Sequence, residues 1–159
     1  MNSNHFKAPW GKTLCWMSVF TVVIISAVAI PILLKNPMGW LVALILPAAA
    51  LFIIRSYTIE PNTLAIQRLL WTTRLPLSGL QSAEVVPDVM RGSLRLFGNG
   101  GMLSITGLYR NRALGNYRAF VTDLKRTVVL RFPKRTIVVS PENPERFVAE
   151  ISQFAFRTA

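Results

Sequence analysis

The sequence is poor in the residues that do chemistry. Its 159 residues include one histidine, His5, one cysteine, Cys15, and only seven aspartates and glutamates. A single cysteine excludes an internal disulfide, and at the edge of an apolar run it reads as a buried, inert thiol. Lys12-Thr13 just before it also rules out a lipoprotein acceptor, which needs an apolar stretch there. One histidine, far along the chain from the folded part, leaves no imidazole to activate a nucleophile and no metal-ligand cluster. Glu84, Asp88 and Asp123 stand singly, so no carboxylate pair can share acid and base roles. Ser104 lacks the G-x-S-x-G context of a hydrolase nucleophile. The expectation is a non-enzymatic chain with no metal and no cofactor.

Nucleotide-binding templates are missing too. The glycine-dense stretch Phe97-Gly98-Asn99-Gly100-Gly101 continues as Met102-Leu103, where a phosphate loop needs Lys and a hydroxyl. A dinucleotide fingerprint needs a third glycine at position 103 and a helix after it, and Leu103-Ser104-Ile105-Thr106 reads as a strand. No recognition helix, zinc spacing or RNA-binding aromatic signature accompanies the positive charge, so nucleic acid is not an expected partner.

What the sequence has in abundance is apolar surface at its front. Residues 14–34 carry no charge over 21 positions, about 31 Å as a helix. Residues 37–54 form a second uncharged run of 18, about 27 Å as a helix, with only Lys35-Asn36 between the two. The spacing predicts a transmembrane helical hairpin, 14–34 and 37–54. Ala27-Val28-Ala29 after Lys7 and Lys12 resembles a signal-peptide cleavage site, but Ile30 to Leu34 prolongs the apolar run past it, which favours retention. Trp10, Trp16 and Trp40 near the ends suit interfacial anchoring.

Basic residues set the expected orientation. Lys7 and Lys12 precede the first run, Arg55, Arg68 and Arg74 follow the second, and the turn has only Lys35. Both termini are therefore expected in the cytoplasm, with 1–13 as an N-terminal tail. Of the 18 Lys and Arg, 14 lie after Arg55 with all seven acidic residues, which gives that part a net charge of +7. A basic domain held near anionic headgroups gains about 1 kcal/mol for each basic side chain close to the surface.

From Tyr57 the periodicity turns to that of strands. Candidates are 57–59, 64–68, 71–75, 80–86, 103–106, 118–122, 127–132 and 136–140, divided by Pro-, Gly- and Asn-bearing turns. Asn143 then caps a helix with Pro144 at its first position and Glu145 in its first turn. Phe147, Val148, Ile151 and Phe154 share one face of it.

The motifs Phe97-Gly98-Asn99-Gly100-Gly101, Gly107-Leu108-Tyr109-Arg110-Asn111, Leu114-Gly115-Asn116-Tyr117 and Ala119-Phe120-Val121-Thr122-Asp123 match one known family, as do Ser140-Pro141 and Pro144-Glu145-Arg146-Phe147. Over roughly 56–154 the chain resembles the bacterial pleckstrin-homology-like (PH-like) domain of membrane proteins with two N-terminal helices. The resemblance implies an α+β fold, a seven-stranded antiparallel β-barrel or sandwich with a C-terminal capping helix, over 56–159. It also implies a bacterial inner-membrane setting and brings no catalytic residue.

The residues put forward for ligand binding are Gly98, Asn99, Gly100 and Gly101, whose amides can converge on an anion, with Arg91, Arg95, Arg110 and Arg112 flanking them in sequence. A simple turn between strands is the competing role for the same glycines. The functional expectation is a binding module that presents its basic PH-like domain to anionic lipid headgroups or a cytoplasmic protein partner. The alternative is an assembly subunit whose hairpin packs on its own copies or on another membrane protein.

Overall fold

The computed structural model describes residues 4–36, 41 and 44–156. Among them are ten strands in two sheets and three α-helices. The first sheet has the order β1-β2-β3-β4, from β1 (His5–Lys7), β2 (Ile54–Glu60), β3 (Thr63–Arg68) and β4 (Thr72–Pro76). The second has the order β5-β9-β10-β8-β7-β6, from β5 (Ser82–Val85), β6 (Leu94–Gly100), β7 (Ile105–Asn111), β8 (Gly115–Val121), β9 (Val128–Phe132) and β10 (Arg135–Val139). The helices are α1 (Lys12–Lys35), α2 (Ile45–Ala50) and α3 (Pro144–Phe156).

Apolar alternation decides how these layers meet. Ile59, Leu64 and Ile66 of the first sheet and Phe120, Leu130, Ile137 and Val139 of the second fill one core, into which α3 sends Phe147 and Ile151. Phe6 meets the Phe147 ring edge-on at 5.2 Å, as does Tyr57 at 6.4 Å. The outer face of the second sheet holds another cluster, with Tyr109, Tyr117, Ala119, Val121, Val129 and Val138 beneath Leu14 of α1. At β9 and β10 both faces of the six-stranded sheet are thus covered, which explains their unbroken apolar runs.

Several expectations need correction. The sheets do not close into a barrel: β6 and β5 are edges of one sheet, and β1 and β4 are edges of the other. The strands are not all antiparallel, since β10 runs parallel to β8 after the β9–β10 hairpin folds back. The region expected to be an N-terminal tail supplies β1, which pairs with β2 through His5↔Thr58 and Lys7↔Ser56. Of the glycine-rich stretch 97–101, expected as a loop, residues 97–100 belong to a strand, Leu94–Gly100, paired with β7, and the bend begins at Gly101. The folded unit therefore does not begin at residue 56, because Phe6, Ala8 and Ile54 belong to its core.

The hairpin is also revised. Among the described residues only α1 is long and apolar enough to cross a membrane. Of the second expected span, 37–40, 42 and 43 lie outside the described residues; Ile45–Ala50 is a short helix, and Ile54 already belongs to β2. Ile54 is fully buried against the core, so packing withdraws the end of that run into the sheet. In α1 apolar residues occupy every side, and Trp16, Phe20, Val23 and Leu34 are mostly exposed. Its first two turns dock on the domain through buried Leu14 and Ser18, with Cys15 half-buried beside them.

Candidate functional site

Four strands cannot cover six. β3 is the strand whose far end approaches the overhang, and it finishes in Arg68. Beyond it the inner face of β6, β7 and β8 is left open, with α2 and Phe52 as its other wall. The result is a cleft of about 820 Å³, lined by Ala48, Ala49 and Phe52 on one side and by Phe97, Thr106, Leu108 and Phe120 on the other. That volume lies within the usual range of small-molecule sites, about 300–1,000 Å³.

Two arginines face this apolar space. On β8, Arg118 and Phe120 are two residues apart and so share the inward face. The Arg118 guanidinium sits 5.1 Å from the centre of the Phe120 ring. Arg68 reaches the same ring at 5.6 Å and has Phe52 and Trp71 around it, each at 5.7 Å. Such stacking suits a weakly hydrated planar cation. It leaves the hydrogen-bonding atoms unsatisfied, however: Nε and Nη1 of Arg68 are buried with no partner. Burial, and then the neighbouring Arg118, lower the pKa of Arg68 below the usual guanidinium value, while Tyr57 acts in the opposite direction.

A smaller cavity of about 320 Å³ adjoins the cleft, sharing Leu108 and Arg118 with it. Lys134 and Arg135 line this second space. Arg135 is engaged, donating from Nη2 to the Pro76 carbonyl at 2.7 Å.

The expected ligand residues divide into groups. Gly98 and Asn99 line the cleft, where Gly98 faces Gly107 across the β6–β7 ladder. Both glycines have positive φ, +110° and +143°, and a Cβ on either would collide with a carbonyl oxygen of the opposite strand. Asn99 organises the turn: its Oδ1 accepts from the Gly101 and Met102 amides at 3.3 and 3.1 Å. The Leu103 amide donates to Ser18 Oγ of α1 at 3.0 Å. These amides are occupied within the chain. Gly100 is overlaid by the Arg95 guanidinium, and a side chain at Gly101 would run into Met17 of α1. Arg110 pairs with Leu94 at the opposite end of the β6–β7 hairpin, Arg112 follows in the next turn, and Arg91 precedes β6 at that same end. Of the four arginines, Arg95 alone approaches the glycine-rich turn.

Residues 55–155 match the bacterial PH domain family, well over half of the chain. The chain belongs to that family. No curated protein and no solved structure matches it. The PH-like sandwich with its C-terminal helix agrees with the architecture, and a PH domain is typically a non-catalytic binding module. The matched span begins after β1, α1 and α2, so the docked helix lies outside the matched residues.

Sequence reasoning passed over Arg68 and Arg118. The signal was there in part: Arg68 ends an alternating strand, and Arg118 stands two residues before an inward phenylalanine. A cation in register with core residues is a pointer that net charge alone does not give.

Proposed function

We propose that this protein is a membrane-tethered binding module that presses one edge of its PH-like domain onto anionic lipid. The observation that carries the proposal is the character of β6. This edge strand exposes Leu94, Leu96 and Phe97 at 71%, 57% and 76%. Arg91 and Arg95 lie beside and in the same strand, Arg110 is on the adjoining one, and Arg112 follows in the turn after it. Exposed apolar side chains among arginines suit the headgroup boundary, where tails and phosphates are both within reach.

The anchor enforces the contact. Ser18 is tied to the 101–103 turn, donating to the Gly101 carbonyl at 3.4 Å while accepting from the Leu103 amide. Only residues 19–34 of α1 then remain to enter the bilayer, about 24 Å of helix against a hydrocarbon core of about 30 Å. So short a free length holds the domain hard against the interface. Ala8 donates its amide to the Arg55 carbonyl, so the chain departs from and returns to the same sheet. If α1 crosses, residues 36–53 must bring the chain back, and both termini stay on the domain side, which the basic residues favour as cytoplasmic.

The test uses the full chain in nanodiscs. Amides of β6 and β7 should exchange with deuterium more slowly in discs of anionic lipid than in neutral ones. Arg110→Glu with Arg112→Glu, or high salt, should abolish the difference, because exposed charges are screened within about 10 Å at 0.1 M. Equal exchange in both discs would discard lipid contact and leave a protein partner or assembly as the role of this edge.

A further inference from the structure

We propose that the cleft between α2 and the β6–β8 overhang binds a phosphate-headed lipid, with its phosphate monoester on Arg68 and Arg118 and its acyl tail along the apolar walls. The inference deepens the binding-module reading and rests on it for the supply of lipid.

The charge argument comes first. A buried cation is costly unless an anion or acceptors satisfy it. Arg68 is half-buried, with two buried nitrogens that lack partners, and the charged side chain that acts on it, Arg118, is another cation. Neither forms an ion pair or a side-chain hydrogen bond among the described residues. Two guanidiniums without a carboxylate match a dianionic head better than a singly charged one. They also present planar donor forks of the geometry that phosphate oxygens accept.

The shape argument comes second. Most of the remaining wall is apolar: Phe52, Phe97, Met102 and Leu108 offer no donor or acceptor from their side chains except a weak thioether, Asn99 spends its side chain on its own turn, and Thr106 adds one hydroxyl. Free inorganic phosphate or a soluble sugar phosphate would leave these surfaces wet, whereas an acyl chain would cover them. The cleft also opens beside α2, at the end of the apolar run, and beside the exposed Phe97 of the proposed membrane edge. A lipid would thus need to travel only a short way from the leaflet.

The experiment is native mass spectrometry of the full chain released from neutral detergent micelles containing phosphatidic acid and phosphatidylcholine in equal amounts, at high salt. Phosphatidic acid should be retained preferentially, and Arg68→Met should weaken it by about tenfold or more. The same variant should melt at or above the wild-type temperature without lipid, since it replaces a half-buried cation that has two unsatisfied buried nitrogens with an apolar chain of similar length. Leu108→Trp, which fills the cleft and keeps both arginines, should also expel the lipid, and inorganic phosphate should not displace it. Equal retention of the two lipids, displacement by inorganic phosphate, or retention unaffected by Arg68→Met would overturn the proposal. Leu96→Asp separates the two readings: it should weaken contact of the β6 edge with anionic discs and leave lipid in the cleft untouched.

Discussion

Tyr57 shows how much one buried hydroxyl can bind together. Its ring is fully enclosed, its Oη–H donates to the Phe120 carbonyl at 2.8 Å, and Ser140 Oγ lies 3.4 Å away. Ser140 in turn accepts from the Thr122 amide at 2.8 Å, so β2, β8 and the end of β10 meet at this point. Burial pushes the Tyr57 pKa from 10.0 up to about 12, with the Ser140 and Thr122 hydroxyls and Arg68 opposing the shift. A raised folded-state pKa means that the unfolded chain gives up this proton first. The stabilisation is therefore complete below pH 10 and is lost as pH climbs from 10 to about 12. Chemical denaturation across that window should show stability falling more steeply for the wild type than for Tyr57→Phe. Burial also raises Tyr109 and Tyr117, so the variant should keep a residual slope.

Among the elements, α3 is the one whose role can be read from its own residues. The Phe147 amide bonds to the Asn143 carbonyl at 2.9 Å, and Phe147 and Ile151 are fully buried while Val148 and Phe154 are half-buried against the same core. The expected face is the observed one. Truncating a buried Phe costs about 3–5 kcal/mol, so Phe147→Ala should lower the unfolding free energy of the full chain by that order. An unchanged denaturation midpoint would remove α3 from the core. β6 is the contrary case. Its Gly98-Asn99-Gly100 run carries the composition of a turn, and it becomes a strand because glycine at 98 and 107 lets two backbones approach where a side chain would not fit. Composition reports glycine's freedom, and only the partner strand decides its use. The same holds for the helix contact: Leu103 takes φ +64°, unusual for a non-glycine residue, where its amide meets Ser18.

For the whole molecule the chief question is how the domain sits on its anchor. The pairing of β1 with β2 puts residues 5–7 and 54–60 on one side, whatever lies between them. In a Cys15→Ser background, an impermeant thiol reagent should label Asn36→Cys in intact cells. It should label Gln153→Cys, exposed on α3, only after permeabilisation. Labelling of Gln153→Cys alone from outside would invert the orientation, and equal access at the two positions would take α1 out of the membrane. Because Phe6, Ala8 and Leu14 are buried with the domain, cutting the chain at residue 56 also removes part of two cores.

What the sequence determined by itself is local. The uncharged run of α1, the amphipathic α3 and the β-branched β9–β10 hairpin all follow from neighbours a few residues apart, whose side chains fix period and turns. The tertiary structure decided the rest: the strand status of residues 5–7 and 94–100, the open sandwich, the docking of α1, and the meeting of Arg68 with Arg118. Those two arginines come together only because β3 and β8, on different sheets, both point at the Phe120 ring. A pattern of period two says which way a strand faces but not which strand it faces, and that choice is made when the two sheets bury their apolar sides together.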